Sequence, residues 1–140
     1  MVPPAVPESL LPREVLNRAD LRGNEYAWPR GDLARVFAAA QAAGLASRGG
    51  QVQLRLPDGT CELYWQNFDV EAQRPGESWE GFVARSRHDV EVALSRLPPD
   101  EALLREGLEQ FDFLREQAAQ GVDLAAALCF VCYFSARLPA

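Results

Sequence analysis

Few residues in this chain have the means to do chemistry, and their spacing says what each could attempt. Cys129 and Cys132 form a Cys-x-x-Cys pair, the spacing of redox dithiols and of half a zinc site. A redox pair needs its first cysteine exposed at a helix N-terminus, where the thiolate is stabilised. This pair lies inside Leu128-Cys-Phe-Val-Cys-Tyr-Phe134, where burial would raise the thiol pKa, so both cysteines read as small core residues. With Cys61 and His88 they number enough ligands for one tetrahedral zinc, but nothing in the spacing makes the four converge. His88 is the only histidine. Its neighbours in sequence are Ser78, Ser86 and Asp89, and residues one apart on a helix do not face each other, so His88-Asp89 is a poor acid–base dyad. Arg48-Gly49-Gly50 precedes a strand rather than a helix N-terminus, so it does not build a phosphate loop. The expectation is a protein without catalysis, metal or cofactor.

Binding chemistry is better represented. The formal net charge is -6 and the sequence pI about 4.8, with no basic stripe of the kind that nucleic acid requires. Glu101, Glu106, Glu109, Asp112 and Glu116 fall on the outward side of one predicted helix, with Arg105 and Arg115 placed to pair with Glu109 and Asp112. A solvated face laced with weak ion pairs is the plain reading of such a pattern. The functional reading is a negative docking surface, which speeds and orients association with a basic protein. Tyr64 belongs with it, because Trp, Tyr and Arg dominate interface hot spots. Glu62, Tyr64, Glu109, Asp112 and Glu116 are therefore the candidate partner-binding residues. Trp28 and Trp79 stand at or before helix starts and read as staples to the core.

Several elements must position these groups. Val52, Leu54 and Leu56 alternate with polar residues, as do Cys61, Leu63 and Trp65, and Pro57-Asp58-Gly59-Thr60 lies between the two runs. A hairpin turning on Asp58-Gly59 would pair Leu56 with Cys61, Leu54 with Leu63 and Val52 with Trp65. Arg55 would then meet Glu62, and Gln53 would meet Tyr64, on an outer face. Phe68 to Val70 would extend the second strand past a kink at Gln66-Asn67.

The remaining segments read mostly as helices. Met1 to Pro12 is a Pro-rich lead-in, with an extended or frayed stretch to Leu11. A short helix over Arg13–Arg22 precedes an extended Asn24–Pro29, in which Tyr26 and Trp28 point the same way. Asp32 caps a helix from Leu33 to about Ala43 that Gly44 stops, with Leu33, Val36, Phe37 and Ala40 inward. Ser78 caps a helix running to about Leu97, and Pro98-Pro99 ends it. Asp100 caps another to about Gln120, with Leu104, Leu108, Phe111, Leu114 and Ala118 inward. Val122–Leu138 suits helix by length and alanine content, and strand by its second half; helix is the expectation.

The whole is predicted to be one domain over residues 13–140: α+β, a β-hairpin or small antiparallel sheet packed by three to four α-helices. The 140 residues include 14 basic ones, all arginine, and no isoleucine, a bias of GC-rich bacterial genes. The N-terminus lacks the basic region of a secretory signal. The most apolar stretch, Leu124–Ala136, is too short to span a bilayer. With three cysteines as well, a cytoplasmic location is expected.

The capped helix, the Gly-Gly break, the run from Gln51 to Trp65 and the Ser78-Trp79 helix start together resemble the small acidic immunity proteins of bacterial polymorphic toxin systems. The resemblance implies an α+β protein that binds one cognate basic toxin domain and occludes its active site. A small-ligand-binding or regulatory domain of a bacterial cytoplasmic protein is the alternative, with aromatic residues lining a pocket between hairpin and helices.

Overall fold

The computed structural model describes residues 6–138, and Met1 to Ala5 of the lead-in lie outside them. Five antiparallel strands form one open sheet: β1 (Asp20–Arg22), β2 (Glu25–Trp28), β3 (Ala46–Leu56), β4 (Gly59–Asn67) and β5 (Leu128–Ser135), in the spatial order β1-β2-β5-β3-β4. Six helices accompany it: α1 (Arg13–Leu16), α2 (Leu33–Ala42), α3 (Trp79–Ser95), α4 (Asp100–Gln110), α5 (Asp112–Ala119) and α6 (Leu124–Ala127). The fold is α+β, as the sequence predicts, although the sheet is wider than one hairpin.

Residues expected to form a C-terminal helix instead supply the central strand. Only Leu124–Ala127 is helical, with Asp123 Oδ1 accepting the Ala126 N–H at 3.2 Å. From Leu128 the chain inserts between β2 and β3. Leu128, Phe130, Cys132 and Phe134 then face the large core beneath the helices, while Cys129 and Val131 are buried on the other side. Burial on both faces removes the alternation by which a strand is recognised, so the segment reads as uniformly apolar.

The β3–β4 faces are as expected, but the pairing differs. Leu56 pairs with Gly59, Leu54 with Cys61, Arg55 with Thr60 and Gln53 with Glu62. The loop is therefore Pro57-Asp58. Turning on Asp58-Gly59 would have required Pro57 in the closing pair, where it has no N–H to donate. The displacement is by two residues, so Val52, Leu54, Leu56, Cys61 and Leu63 all remain in the core. β3 also starts earlier than expected and takes in Gly49 and Gly50, with a register shift at Ser47/Gly49. A Cβ on Gly50 would lie 1.7 Å from the Val131 carbonyl oxygen, so only glycine admits β5 there. Beyond β4, the Phe68 and Val70 N–H groups reach the carbonyls of Gly50 and Arg48, at 3.4 and 3.3 Å.

At two expected caps an arginine takes the carboxylate instead. Asp32 precedes α2 but does not cap it; its carboxylate takes Arg18 Nε at 3.0 Å. Asp100 is the first residue of α4, and its carboxylate takes Arg30 Nε at 2.6 Å. Ser78 does cap α3, accepting the Gly81 N–H at 3.0 Å. The helix expected over Asp100–Gln120 breaks at Phe111, whose φ of -123° and ψ of 113° are extended. The break leaves Leu114 buried against Gly107, and Ala118 exposed rather than inward. The short helix expected over Arg13–Arg22 ends at Leu16 and gives way to β1. Of the lead-in, Pro7–Leu10 is a tight helical turn rather than frayed chain: Glu8 is buried and accepts the Phe134 N–H at 2.6 Å.

The face of the sheet away from the helices is also closed, by curvature. In a flat sheet β1 and β3 would stand ~14 Å apart, three strand spacings, beyond the reach of one arginine. Yet Arg55 Nη1 of β3 donates to the Asp20 carbonyl at 2.7 Å and the Glu25 carbonyl at 3.1 Å. Arg22 of β1 donates back to the Leu56 and Gly59 carbonyls at 2.9 and 3.2 Å. The sheet therefore curls until β1 meets the β3–β4 turn. Gln53 and Arg55, expected on an outer face, lie within the curl and are buried.

Candidate functional site

Two backbone irregularities meet at the β4 edge of the sheet. After the Gln53–Glu62 pair, the next pair is Gln51–Asn67, so Leu63 to Gln66 stand opposite Val52 alone. A bulge of this kind twists the strand and re-aims its side chains. Trp65, expected opposite Val52, instead stacks on Phe111 at the break between α4 and α5, with ring centroids 5.9 Å apart. Its indole N–H donates to Glu106 Oε1 at 2.5 Å, and the Gln66 side-chain amide donates to the same oxygen at 2.9 Å. Glu106 is thus a half-buried acceptor rather than part of a solvated face.

Tyr64 stands edge-on to Trp65, with centroids 5.0 Å apart, and is 69% exposed. Tyr64, Trp65, Glu106, Glu109 and Gln110 line a shallow depression of about 320 Å³. It presents an aromatic face and two carboxylates, which together suit a guanidinium or ammonium group. Of the five residues named from sequence, the structure brings Tyr64 and Glu109 into this depression. Asp112 and Glu116 are exposed on α5, beyond the break. Asp112 holds Arg115, which also donates to the Leu108 carbonyl. Glu62 is half-buried on β4, paired with Gln53. Arg105 and Glu109 do not form the expected ion pair among the described residues.

Sequence reasoning missed Trp65, Glu106, Gln110 and Phe111 as parts of one site. Trp65 follows the alternation of its strand, and the bulge that re-aims it has no signature residue. The helix break did leave a signal: Gly107 is a poor mid-helix residue, and Asp112 is a good first-turn residue for a new helix.

The groups singled out for chemistry lie elsewhere. Cys61, Cys129 and Cys132 are all buried free thiols. Burial pushes the Cys129 thiol up to about 11 and raises Cys61 and Cys132 as well. His88 is exposed on α3, while Ser86 points inward, donating to the Val83 carbonyl and accepting the Ser47 N–H at 2.8 Å. Among the described residues no cluster of His, Cys, Asp or Glu could hold a metal ion, and no helix is long and apolar enough to cross a membrane.

A larger groove of about 820 Å³ lies at the other end of the sheet, between the start of α3 (Trp79, Phe82) and Arg48, Val70 and Leu138. Trp79 is fixed there by its indole N–H, which donates to the Gly44 carbonyl at 2.8 Å. Trp28, by contrast, is fully buried and donates to the Val15 carbonyl at 2.9 Å. Comparison of the chain with protein-family models, curated proteins and solved structures returned no match.

Proposed function

We propose that this protein is a non-catalytic binding module that docks a basic protein partner, in the manner of a cytoplasmic immunity protein occluding its cognate toxin domain. The observation that carries this reading is the exposed Tyr64 ring in one depression with Glu106 and Glu109, beside the Trp65–Phe111 stack. An arginine or lysine from the partner would lie against Tyr64 and pair with Glu109, with Glu62, Asp112 and Glu116 supplying the surrounding negative field. Tyrosine and arginine contacts of this kind anchor interfaces, and the field raises the association rate. Occlusion of the partner's active site needs no chemistry from the module itself. Charge reversal at Glu109 and Asp112 tests the reading: affinity for the captured partner should fall by about tenfold or more, and an unchanged affinity would refute it.

A second reading, binding of a small ligand, is favoured by the groove beside Trp79 and Phe82, whose rim carries Arg48, Asp69 and Arg137. A metabolite that raises the melting temperature of the wild-type protein but not of a Phe82→Ala variant would support it through mass-action linkage.

A further inference from the structure

The curled side of the sheet holds a further pocket, opposite in charge to the β4 edge. It encloses about 270 Å³ and is lined by Arg18, Arg22 and Arg55, with Asp20, Leu128 and Cys129 among its walls. Three arginines thus line one pocket in a chain of net charge -6. Their partners do not balance them. Arg22 and Arg55 share a single carboxylate oxygen, Asp20 Oδ2, at 3.4 and 3.2 Å. Arg18 has its own partner, Asp32, at 2.9 Å, outside the pocket wall.

Arg55 is the telling residue. Its side chain is only 4% exposed, yet its terminal nitrogens are used unequally. Nη1 donates to the Asp20 and Glu25 carbonyls and to Asp20 Oδ2, and Nε donates to Gln53 Oε1 at 3.2 Å. Nη2 has no protein acceptor among the described residues. Every fully enclosed side-chain nitrogen and oxygen among the described residues does have a partner, so Nη2 is not fully enclosed, and Arg55 is one of the residues that line this pocket. A nearly buried guanidinium held in place through Nε and Nη1 is pre-organised to offer Nη2 for a charge-assisted hydrogen bond to an oxyanion.

We infer that this pocket binds the phosphate group of a small anion, with Arg55 Nη2 as the donor and Arg18 and Arg22 adding positive charge to its walls. A phosphate group offers several acceptor oxygens to several guanidinium groups at once and brings more negative charge than a carboxylate, which suits the excess of cations. The pocket is partly enclosed, so the attraction is screened less than on open surface. This inference does not depend on the docking surface at β4.

The test is a titration of the ¹⁵N-labelled protein with sodium phosphate, and in parallel with phenyl phosphate, against sodium chloride at matched ionic strength. Saturable shifts centred on the amides of Ala27, Leu128 and Cys129 are expected. Tighter binding of phenyl phosphate would assign the group to a larger metabolite, and equal binding would assign it to free phosphate. Because Arg55 also ties the sheet together, the informative variant is Arg18→Gln, at a half-exposed position; phosphate affinity should fall by about fivefold with the spectrum otherwise intact. Absence of saturable shifts, shifts of equal size at distant arginines such as Arg96 and Arg105, or unaltered affinity in Arg18→Gln would overturn the inference.

Discussion

The inside of the curled sheet and the outer edge of β4 both gather charged and aromatic side chains, but they use them in opposite ways. Within the curl, Arg22 and Arg55 direct their donors at main-chain carbonyls of β1, β2 and the β3–β4 turn, and Tyr133 donates to Glu25. Burial, followed by that hydrogen bond, raises the Tyr133 hydroxyl pKa. The two arginines hold together strands that no ladder of backbone bonds joins, while Tyr133 reinforces the pairing of β5 with β2. At the β4 edge, Trp65, Gln66 and Glu106 engage one another, while Tyr64 and Glu109 face outward. A polar group whose partners lie inside the molecule fixes its shape. One whose partners lie outside is available for binding. The Arg55 side chain stands between the two cases, engaged through Nε and Nη1 and without a protein acceptor among the described residues at Nη2.

Substitutions can break or sharpen that contrast. The scale is set by the apolar core beneath the helices: Phe130, fully buried on β5, should cost about 3–5 kcal/mol when replaced by alanine, read as a lower midpoint in urea unfolding. Arg55→Met removes the donors from the Asp20 and Glu25 carbonyls but leaves Asp20 half-exposed and able to rehydrate. A loss of about 1–3 kcal/mol is expected, and no loss would mean that the curl does not depend on arginine. Tyr64→Ala should change stability by less than about 0.5 kcal/mol, since the ring is mostly exposed. A larger effect would place Tyr64 with the structural residues.

An acid titration supplies the smallest expected effect. Arg85 donates to both carboxylate oxygens of Glu77, at 2.6 and 2.9 Å, and holds that carboxyl down to about 2. A lowered folded-state pKa means that the stabilisation is complete above the ordinary value near 4.5 and is lost as pH falls toward about 2. Glu77→Gln should therefore flatten the stability profile between those limits and leave Tyr64 and Glu109 unaffected.

Much of the helix-facing core was legible in the sequence because periodicity reports burial on one face. Leu33, Val36, Phe37 and Ala40 of α2 are buried as their spacing predicts, and Phe82, Val83 and Val90 of α3 likewise. Tyr26 and Trp28 do point the same way, stacked with centroids 6.2 Å apart. β5 escaped because it is buried on both faces, and its neighbours β2 and β3 are remote in sequence. The curl escaped for a related reason: Arg55 reads as a solvent-facing residue of an alternating strand until β1 is known to fold over it. In the candidate site, Tyr64 and Glu109 could be named from exposure and charge. Trp65, Glu106 and Phe111 could not, because a bulge and a helix break bring them together.

The central claim is that the β4 edge is a docking surface for a basic protein. The most direct test captures partners from cells that express the protein, using wild-type bait and a Tyr64→Ala/Glu109→Arg variant side by side, with quantification by mass spectrometry at low and moderate salt. The account predicts one dominant basic protein on the wild-type bait, diminished by salt and absent from the folded variant. Equal recovery of the same protein on both baits, or a dominant partner that is acidic, would contradict it.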